Sequence, residues 1–280
     1  KTNLEKRGYT FTTKTDTEVI VHLYDEFGID FLPMLNGMFC FALYDTNTKE
    51  LIIARDRFGV KPLFYQLSQN YLIFSSELNS LKTIPIFDSA LDFEALGIFI
   101  NMFFIPEPWT AYKHTRRLKA GTYLKISENK KEIVEYFDYD FSEKDNTIDS
   151  NIASEEIARL FKQSVKRQLI SDVPVGVLLS GGLDSRSILS AVTDHEENTD
   201  TFTIVFNEQN YSEGNIASIW SDIYKSNHHE MLYRSIDLNE NLVNSLNHYG
   251  EPYGFFGHDA FISLAKYINS KNIKVVLSGT

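Results

Sequence analysis

The sequence predicts two domains of different fold class: an α+β layered domain over residues 1–137 and an α/β domain with a doubly wound parallel sheet over residues 152–280. In the first part, one amphipathic helix pattern precedes a series of aromatic-rich strands. In the second part, strand, loop and helix patterns alternate, and the strands are apolar on both faces. The segment between them, residues 138–151, is polar, acidic and without periodicity, which is typical of a linker.

Composition excludes several functional classes. Asp and Glu number 38 against 27 Lys and Arg, a net charge of −11, so nucleic-acid binding is not expected. No apolar run reaches the ~18 residues of a membrane helix and the N-terminus lacks a signal-peptide pattern, so we expect a cytoplasmic protein with no membrane contact. The one cysteine excludes an internal disulfide and any site with several cysteine ligands. Because the chain starts at Lys1 and stops just after a strand-like run, we expect a fragment that lacks both ends.

In the first domain, a helix is predicted over roughly residues 15–28. Thr15 and Glu18 fit a capping box, and Gly28 fits a helix stop. Four strand-like runs follow, GMFCFALYD, LIIARD, PLFYQL and YLIFSS, which predict a strand meander buried on at least one side. Cys40 lies in the first run, where we expect an inert buried thiol rather than a nucleophile.

In the second domain, an amphipathic helix is predicted from apolar residues at helical spacing, namely Ile157, Leu160, Phe161 and Val165. The order strand, loop, helix then appears as VPVGVLL, SGGLDS and RSILSAV, and the next strand and helix as DTFTIVF and GNIASIWSDIY. SNHHEM begins a third parallel strand, and DAFISLAKYI and KVVLSG are a further helix and strand. His228 and His229 have no cysteine nearby and lack the HExxH spacing, so no metal site is expected there.

The most informative segment is Ser180–Ser185, which lies between a predicted strand and a predicted helix. Ser-Gly-Gly permits a tight turn whose backbone N–H groups face an anion at the positive end of the next helix. The segment has neither the lysine of GxxxxGK[ST] nor the spacing of GxGxxG, so an ordinary P-loop and a dinucleotide site are not expected. Asp184 is a candidate ligand for Mg²⁺, which prefers carboxylates together with phosphate oxygens. The alternative is a plain tight turn in which Asp184 and Ser185 cap a helix.

SGGLDS after an apolar strand resembles the pyrophosphate loop of the ATP pyrophosphatase family. LNGMFCFALYD, ARDRFGVKPLFY and FSSEL resemble the C-terminal part of a class II glutamine amidotransferase domain, and FIPEPWTAYKHTRRLKAGTYL resembles its exit segment. Together they resemble the glutamine-hydrolysing asparagine synthetase family over essentially the whole chain. The resemblance implies a partial N-terminal-nucleophile-type sandwich followed by a partial sheet of the adenine nucleotide alpha hydrolase type.

The resemblance also implies a reaction: L-aspartate, L-glutamine and ATP become L-asparagine, L-glutamate, AMP and pyrophosphate, through an acyl-adenylate that ammonia attacks. ATP and Mg²⁺ are the implied cofactors, and a homodimer is the implied assembly. Asp184 and Glu251 are the implied catalytic candidates of the synthetase part, and Asp184 is also the implied Mg²⁺ ligand. The implied ATP site consists of strand ends and loops, namely Leu178, Leu179, Ser180, Gly181, Gly182, Leu183, Asp184, Ser185, Ile204, Ser278 and Gly279.

In the amidotransferase part, Asp16 matches the family acid that binds the α-ammonium group of glutamine. Its alternative role is a favourable charge at a helix N-terminus. The N-terminal cysteine nucleophile of the family has no counterpart here, so we expect that this chain alone does not hydrolyse glutamine and is inactive by itself. His228 and His229 match a similar family HHE, which we place at the sheet edge near the nucleotide.

Two departures from the family leave alternatives open. The family continues Ser278 and Gly279 with an acidic glycine-rich loop, whereas this chain reads Thr280. Glu251 is a single acid before proline where two are common, which weakens the assignment of aspartate as acceptor. The alternatives are a related amidotransferase acting on a sugar or another carboxylate in a biosynthetic cluster, and a non-catalytic nucleotide-binding remnant.

Overall fold

The computed structural model describes residues 1–128, 130–142, 148–207, 213–234, 238–254 and 257–279, and the backbone alone for residues 238–242. The chain divides into two compact units, which are residues 1–142 with 245–254, and residues 143–244 with 255–280. Within the described ranges, no helix has both the length and the apolar character that crossing a membrane requires.

The first unit combines short helices with two antiparallel sheets. Its helices are α1 (Thr2–Lys6), α2 (Asp16–Phe27), α3 (Leu78–Lys82) and α4 (Phe93–Met102), with a 3₁₀ helix at Gly28–Met34. Its strands are β1 (Cys40–Asp45), β2 (Glu50–Arg55), β3 (Phe64–Leu67), β4 (Leu72–Ser75), β5 (Thr115–Arg117), β6 (Thr122–Ile126) and β7 (Lys131–Glu135). One sheet has the order β1-β2-β6-β7 and the other the order β4-β3-β5.

Alternating side chains of β2 bury both faces of the first sheet. Ile52 and Ala54 pack in a cluster with α2 and the 3₁₀ helix, whereas Ile53 packs with Tyr65 of the second sheet. The expectation of one four-strand meander is therefore wrong, since the β1–β2 and β3–β4 hairpins lie in different sheets. The physical reason is the tight loop over residues 56–61, which carries the chain from one sheet to the other.

The predicted helix of the first unit is confirmed as α2, but its capping box does not form. Thr15 is the N-cap residue and makes no side-chain cap hydrogen bond. Glu18 instead accepts the backbone N–H groups of Thr12 and Thr13, each at 2.7 Å. Hydrogen bonds from these two threonines lower the pKa of Glu18 to about 2. The bond from the hydroxyl of Thr13 has the largest effect, followed by that from the backbone N–H of Thr12.

Cys40 is less buried than the sequence suggested, because β1 is an edge strand. Its side chain is half-buried between the two sheets, and its Sγ lies 3.5 Å from the Oγ of Ser76. Tyr44 of the same strand is 58% exposed. The thiol thus packs against the core from its margin.

The second unit contains a parallel sheet with helices on both faces. Its elements are α5 (Ser150–Gln168), β8 (Val175–Leu178), α6 (Leu183–Thr193), β9 (Asp200–Val205), α7 (Gly214–Tyr224), β10 (Asn227–Leu232), α9 (His258–Ser270) and β11 (Val275–Leu277), and α8 (Leu238–Tyr249) contains residues of both units. The strand order is β10-β9-β8-β11, and every pairing is parallel. Val175 and Val177 pack against α5, α6 and α7, whereas Leu178 and Phe202 pack against α9. The predicted parallel pairing is confirmed.

The amphipathic helix predicted around Ile157 exists as α5, but little of its apolar face is buried in the described part of the chain. Val165 is 4% exposed and joins the core, whereas Ile157 is 67% exposed and Leu160 is 48% exposed. The core cluster reaches α5 only near its C-terminal end, at Val165 and Leu169.

Residues 245–254 belong to the first unit, although the sequence analysis placed them in a second domain over residues 152–280. Their hydrogen bonds explain the difference. The Oε2 of Glu251 accepts the backbone N–H of Ala111 at 2.8 Å, and its Oε1 forms an ion pair with Arg117. Glu251 is 5% exposed, and this burial raises its pKa, against the opposing effect of the Arg117 charge.

Candidate functional site

A cavity of about 470 Å³ lies in the second unit at the carboxyl ends of its parallel strands. Ligands of open parallel sheets bind at this edge. Its lining includes every residue of the predicted ATP site except Gly181 and Leu183, namely Leu178, Leu179, Ser180, Gly182, Asp184, Ser185, Ile204, Ser278 and Gly279. The structure therefore brings together residues from three separate parts of the sequence.

The cavity has a polar side and an apolar side. The polar side comes from the β8–α6 loop, the start of α7 and the end of β11, and includes Ser180, Asp184, Ser185, Glu213 and Ser278. The apolar side comes from β9 and its end and from α9, and includes Phe202, Ile204, Phe206, Ala260, Phe261 and Leu264. Such a lining suits a ligand with one anionic part and one flat apolar part.

The loop Ser180–Ser185 is held by its own hydroxyl groups. The N–H of Ser180 donates to the Oγ of Ser185 at 3.1 Å, and the N–H of Gly182 donates to the Oγ of Ser180 at 3.1 Å. Gly182 is the N-cap residue of α6 and gives this helix no side-chain cap. The first N–H groups of a helix have no partner within the helix, so the start of α6 can donate to an anion in the cavity.

Gly279 permits the close approach that brings the end of β11 to this loop. A Cβ atom at this position would lie 2.8 Å from the backbone nitrogen of Ser185 and 2.9 Å from the carbonyl carbon of Asp184. Backbone atoms cannot yield at such distances without moving the first turn of α6. The glycine is thus a geometric requirement of the cavity.

Thr203 is a cavity residue that the sequence analysis missed. Its Oγ1 donates to the carbonyl oxygen of Leu179 at 2.5 Å, and the N–H of Leu179 donates to the carbonyl oxygen of Phe202 at 2.9 Å. Thr203 is 3% exposed and lines the cavity. Its hydroxyl fixes the point at which the loop leaves β8. A threonine between the apolar residues Phe202 and Ile204, near the end of the strand, was the available signal.

Gly181 and Leu183, the predicted residues outside the lining, have different surroundings. The N–H of Gly181 donates to the Oε2 of Glu213 at 2.9 Å, whereas Leu183 is 64% exposed. Glu213 lines the cavity and was also missed. It lies in an acidic loop of no regular pattern, which gave no signal of its role.

The two adjacent histidines lie on edge strand β10 but do not line the cavity. His229 stacks on Phe202, with 4.9 Å between ring centroids, and its Nε2 lies 2.8 Å from the Oδ1 of Asp200. His228 lies with its Nδ1 3.0 Å from the Oγ1 of Thr201, and burial lowers its pKa. The expected edge position is thus observed. The ring of His229 contacts the cavity-lining ring of Phe202, which lies in the amino-terminal half of β9.

Two further predicted residues lie in the first unit. Asp16 is exposed in the first turn of α2, and its role with glutamine stays a prediction. Glu251 is buried against Arg117 and is not among the cavity-lining residues. Its acceptor role has no support in these contacts and stays an untested prediction. Among the described residues, no group of three or more His, Cys, Asp or Glu side chains is arranged to hold a metal ion.

Two family models cover most of the chain. The model described as a glutamine amidotransferase domain matches residues 1–137, and the model described as asparagine synthase matches residues 156–280.

Curated relatives match the same regions. The protein named putative asparagine synthetase (glutamine-hydrolyzing) 2 of Methanocaldococcus jannaschii is 33% identical, over 98% of this chain and 54% of that protein. Putative asparagine synthetase (glutamine-hydrolyzing) of Mycobacterium tuberculosis is 32% identical, over 98% of this chain and 43% of that protein. Asparagine synthetase B (glutamine-hydrolyzing) of Escherichia coli is 39% identical, over 66% of this chain and 28% of that protein. The chain thus spans about half the length, or less, of these relatives. The two domain matches and the relatives agree with the sequence resemblance, and the chain belongs to the glutamine-hydrolysing asparagine synthetase family.

Proposed function

We propose that this chain contributes nucleotide binding and carboxylate activation to the synthesis of L-asparagine from L-aspartate, L-glutamine and ATP. The reaction releases L-glutamate, AMP and pyrophosphate and proceeds through an acyl-adenylate that ammonia attacks. One observation carries the proposal: the loop Ser180–Ser185 and the pair Ser278 and Gly279 meet in one cavity at the carboxyl edge of the parallel sheet. Family membership supplies the reaction class.

The cavity suits the two ends of ATP. The N–H groups at the start of α6 and the hydroxyls of Ser180 and Ser185 can donate to phosphate oxygens, and pyrophosphate is the leaving group that this side would hold. The apolar side, with Ile204 at the end of β9 and the ring of Phe206 beyond it, can cover the flat face of adenine. When a carboxylate oxygen attacks the α-phosphorus of ATP, the bond to pyrophosphate breaks, and the loop would stabilise pyrophosphate as it departs. Ammonia then attacks the acyl carbon of the adenylate, and AMP leaves.

The side chains present also fit a magnesium ion. Asp184 and Glu213 both line the polar side, and Mg²⁺ is commonly held by one or two carboxylates together with phosphate oxygens. In this proposal Asp184 is the ligand. The bound ion would neutralise phosphate charge and so make the leaving group better.

The finer assignments rest on family membership. We assign the first unit to the N-terminal-nucleophile-type sandwich and the second to the ATP pyrophosphatase type of doubly wound sheet. The two family domains are taken as residues 1–137 and 152–280, with residues 138–151 as linker; they differ from the compact units in that residues 245–254 lie in the first unit. The assembly is taken as a homodimer. Asp16 is assigned to the α-ammonium group of glutamine. The support is the matched position of these residues and the two family models.

The testing experiment compares Asp184→Asn with the wild-type chain. Calorimetry of ATP and pyrophosphate, each with and without Mg²⁺, should show that the variant loses the gain in affinity that Mg²⁺ gives to the wild type, by about tenfold or more. Thermal stability should change little, because Asp184 is exposed. Asp172→Asn, an exposed aspartate outside the cavity lining, is the matched control.

Two results would overturn parts of the proposal. Unchanged affinity and Mg²⁺ dependence in Asp184→Asn would remove the metal role. A wild-type chain that binds neither ATP nor pyrophosphate would remove the nucleotide site. A helix cap alone predicts a different pattern, in which Asp184→Ala loses ~1 kcal/mol of stability and no ligand effect appears.

A further inference from the structure

Glu213 directs its carboxylate to the anion-binding loop rather than to its own helix. It is the N-cap residue of α7, yet it makes no side-chain cap hydrogen bond there. Its Oε2 accepts the N–H of Gly181 at 2.9 Å. Because Glu213 also lines the cavity, a negative charge already lies where phosphate oxygens are expected.

Close packing of the loop on α7 makes this contact possible. A Cβ atom at Gly181 would lie 3.4 Å from the Cβ of Ile216 and 3.5 Å from the Cβ of Glu213. The backbones of the loop and of the first turn of α7 are therefore neighbours. The carboxylate of Glu213 is close enough to accept the N–H of Gly181. Glu213 is also exposed, so the same side chain can turn towards solvent.

The partner of Gly181 differs in charge from the partners of the adjacent loop amides. The N–H groups of Ser180 and Gly182 donate to uncharged hydroxyls, whereas the N–H of Gly181 donates to a carboxylate. A hydroxyl does not repel an incoming phosphate oxygen. A carboxylate repels it, and this repulsion is strong where solvent is partly excluded.

Resting on the proposed function, we propose that Glu213 makes the site select the Mg²⁺ complex of the nucleotide over the free nucleotide. In the structure its carboxylate accepts the N–H of Gly181. A metal-free phosphate must approach this charge uncompensated and is disfavoured. A phosphate that carries Mg²⁺ is not disfavoured, because the cation offsets the repulsion. The carboxylate then turns aside or faces the cation.

The test measures the dissociation constant of inorganic pyrophosphate by calorimetry, once with Mg²⁺ and once with EDTA. Glu213→Gln keeps the shape of the side chain and an oxygen that can accept from Gly181, but it removes the charge. We expect free pyrophosphate to bind about tenfold more tightly than to the wild type, and Mg²⁺-pyrophosphate to change by less than about threefold. Glu197→Gln, an exposed glutamate of the same unit outside the cavity lining, is the control and should change neither.

Each other outcome overturns the inference in a recognisable way. Unchanged or weaker binding of free pyrophosphate in Glu213→Gln contradicts the selection role. A tenfold loss for Mg²⁺-pyrophosphate shows instead that Glu213 binds the metal or supports the loop. If the wild-type chain binds neither form, the proposed function fails together with this inference. If it binds both and Glu213→Gln behaves identically, this inference alone fails. Equal thermal midpoints of wild type and variant confirm that folding is not the cause.

Discussion

Each unit contains a loop after a β-strand in which a carboxylate accepts backbone N–H groups, but the two loops are built differently. In the first unit, the Oδ1 of Asp56 accepts the N–H groups of Phe58 and Val60 at 3.1 and 3.0 Å, and its Oδ2 accepts those of Lys61 and Phe39 at 3.0 and 3.3 Å. Asp56 is 1% exposed. In the second unit, the exposed Glu213 accepts one loop amide from a different element.

The difference teaches how one kind of contact serves structure in one place and, under the proposed function, binding in another. Asp56 belongs to the loop that it holds and is sealed from water, so its amides are permanently occupied. The loop at Ser180–Ser185 is held by hydroxyls, by one remote carboxylate and by the start of a helix that has no side-chain cap. The acceptors of its N–H groups can therefore be exchanged for those of a ligand. An acceptor that is local and buried closes a loop, and an acceptor that is remote and exposed leaves it open.

The largest expected effect is the loss of stability in Asp56→Asn. The substitution keeps the shape of the side chain, but it places the NH₂ of a side-chain amide opposite two of the four backbone donors. That group donates and cannot accept these N–H groups. Each buried donor left without an acceptor costs about 1–3 kcal/mol, so the first unit should lose about 3 kcal/mol or more. The chain has two tryptophans, Trp109 in the first unit and Trp220 in the second. Denaturant unfolding followed by Trp109 fluorescence in a Trp220→Phe background reports on the first unit.

Asp45→Asn is the matched control for this prediction. Its Oδ1 accepts the N–H groups of Asn47 and Thr48 at 2.8 and 3.2 Å, and the amide oxygen of asparagine can keep both bonds. The expected loss is about 1 kcal/mol or less. Equal losses in the two variants would show that the loop at Asp56 is not closed by its carboxylate, and the comparison of the two loops would fail.

The next effect is that of Gly279→Ala on the open loop. The added methyl group would meet the backbone of Asp184 and Ser185 at 2.8–2.9 Å, so the first turn of α6 must move. We expect a loss of about 1–3 kcal/mol in the second unit and at least tenfold weaker binding of Mg²⁺-ATP. Gly182→Ala is the steric control, because its Cβ would meet only the movable hydroxyl of Ser180, at 3.2 Å. Unfolding followed by Trp220 fluorescence should show the loss of stability in Gly279→Ala but not in Gly182→Ala.

A smaller effect is expected for Thr203→Val, which removes the bond that anchors the open loop to β8. Stability should fall by about 1 kcal/mol and Mg²⁺-ATP affinity should fall severalfold, because the loop no longer leaves the strand at a fixed point. Thr201→Val is a close control on the same strand. The hydroxyl of Thr201 contacts Ser226 and His228 away from the cavity. A similar loss of stability without a loss of affinity is expected there. Equal affinity losses would mean that Thr203 acts through general stability only.

The position of the open loop was accessible to sequence analysis because it depends on a local pattern. Ser180–Ser185 lies between an apolar strand and a helix, and a parallel sheet brings all strand ends to one edge. The predicted strand ends at Ile204 and Gly279 therefore line the same cavity as the loop. The fold class of each half was likewise predicted from local sequence, because the spacing of apolar residues distinguishes helices from strands.

The contacts that the sequence analysis missed are those that depend on side chains far apart in the chain. Nothing in the sequence near Glu213 indicates that its carboxylate reaches Gly181, and nothing near Glu251 indicates that it pairs with Arg117. The division of the four strands between two sheets was likewise hidden, because the closing role of Asp56 depends on Phe39 and on the folded loop itself. Pairwise geometry of this kind is fixed by tertiary packing.

The smallest expected effect concerns Glu18, a carboxylate of intermediate exposure that accepts local amides. It combines the local bonding of Asp56 with an exposure between those of Asp56 and Glu213. Its bonds to Thr12 and Thr13 lower its pKa from 4.5 to about 2. A carboxyl group with a lowered pKa in the folded state stabilises that state above its unfolded pKa, and the contribution is lost as the pH falls towards the folded pKa. Glu18→Gln should therefore lower the thermal midpoint of the first unit slightly at pH 7, and the difference from the wild type should shrink between pH 4.5 and about 2. Glu94→Gln, which also lies in the first turn of a helix, corrects for the helix dipole. A difference that stays constant over this pH range would show that the carboxylate of Glu18 holds its amides no better than a neutral side chain, and that burial, not charge, distinguishes Asp56.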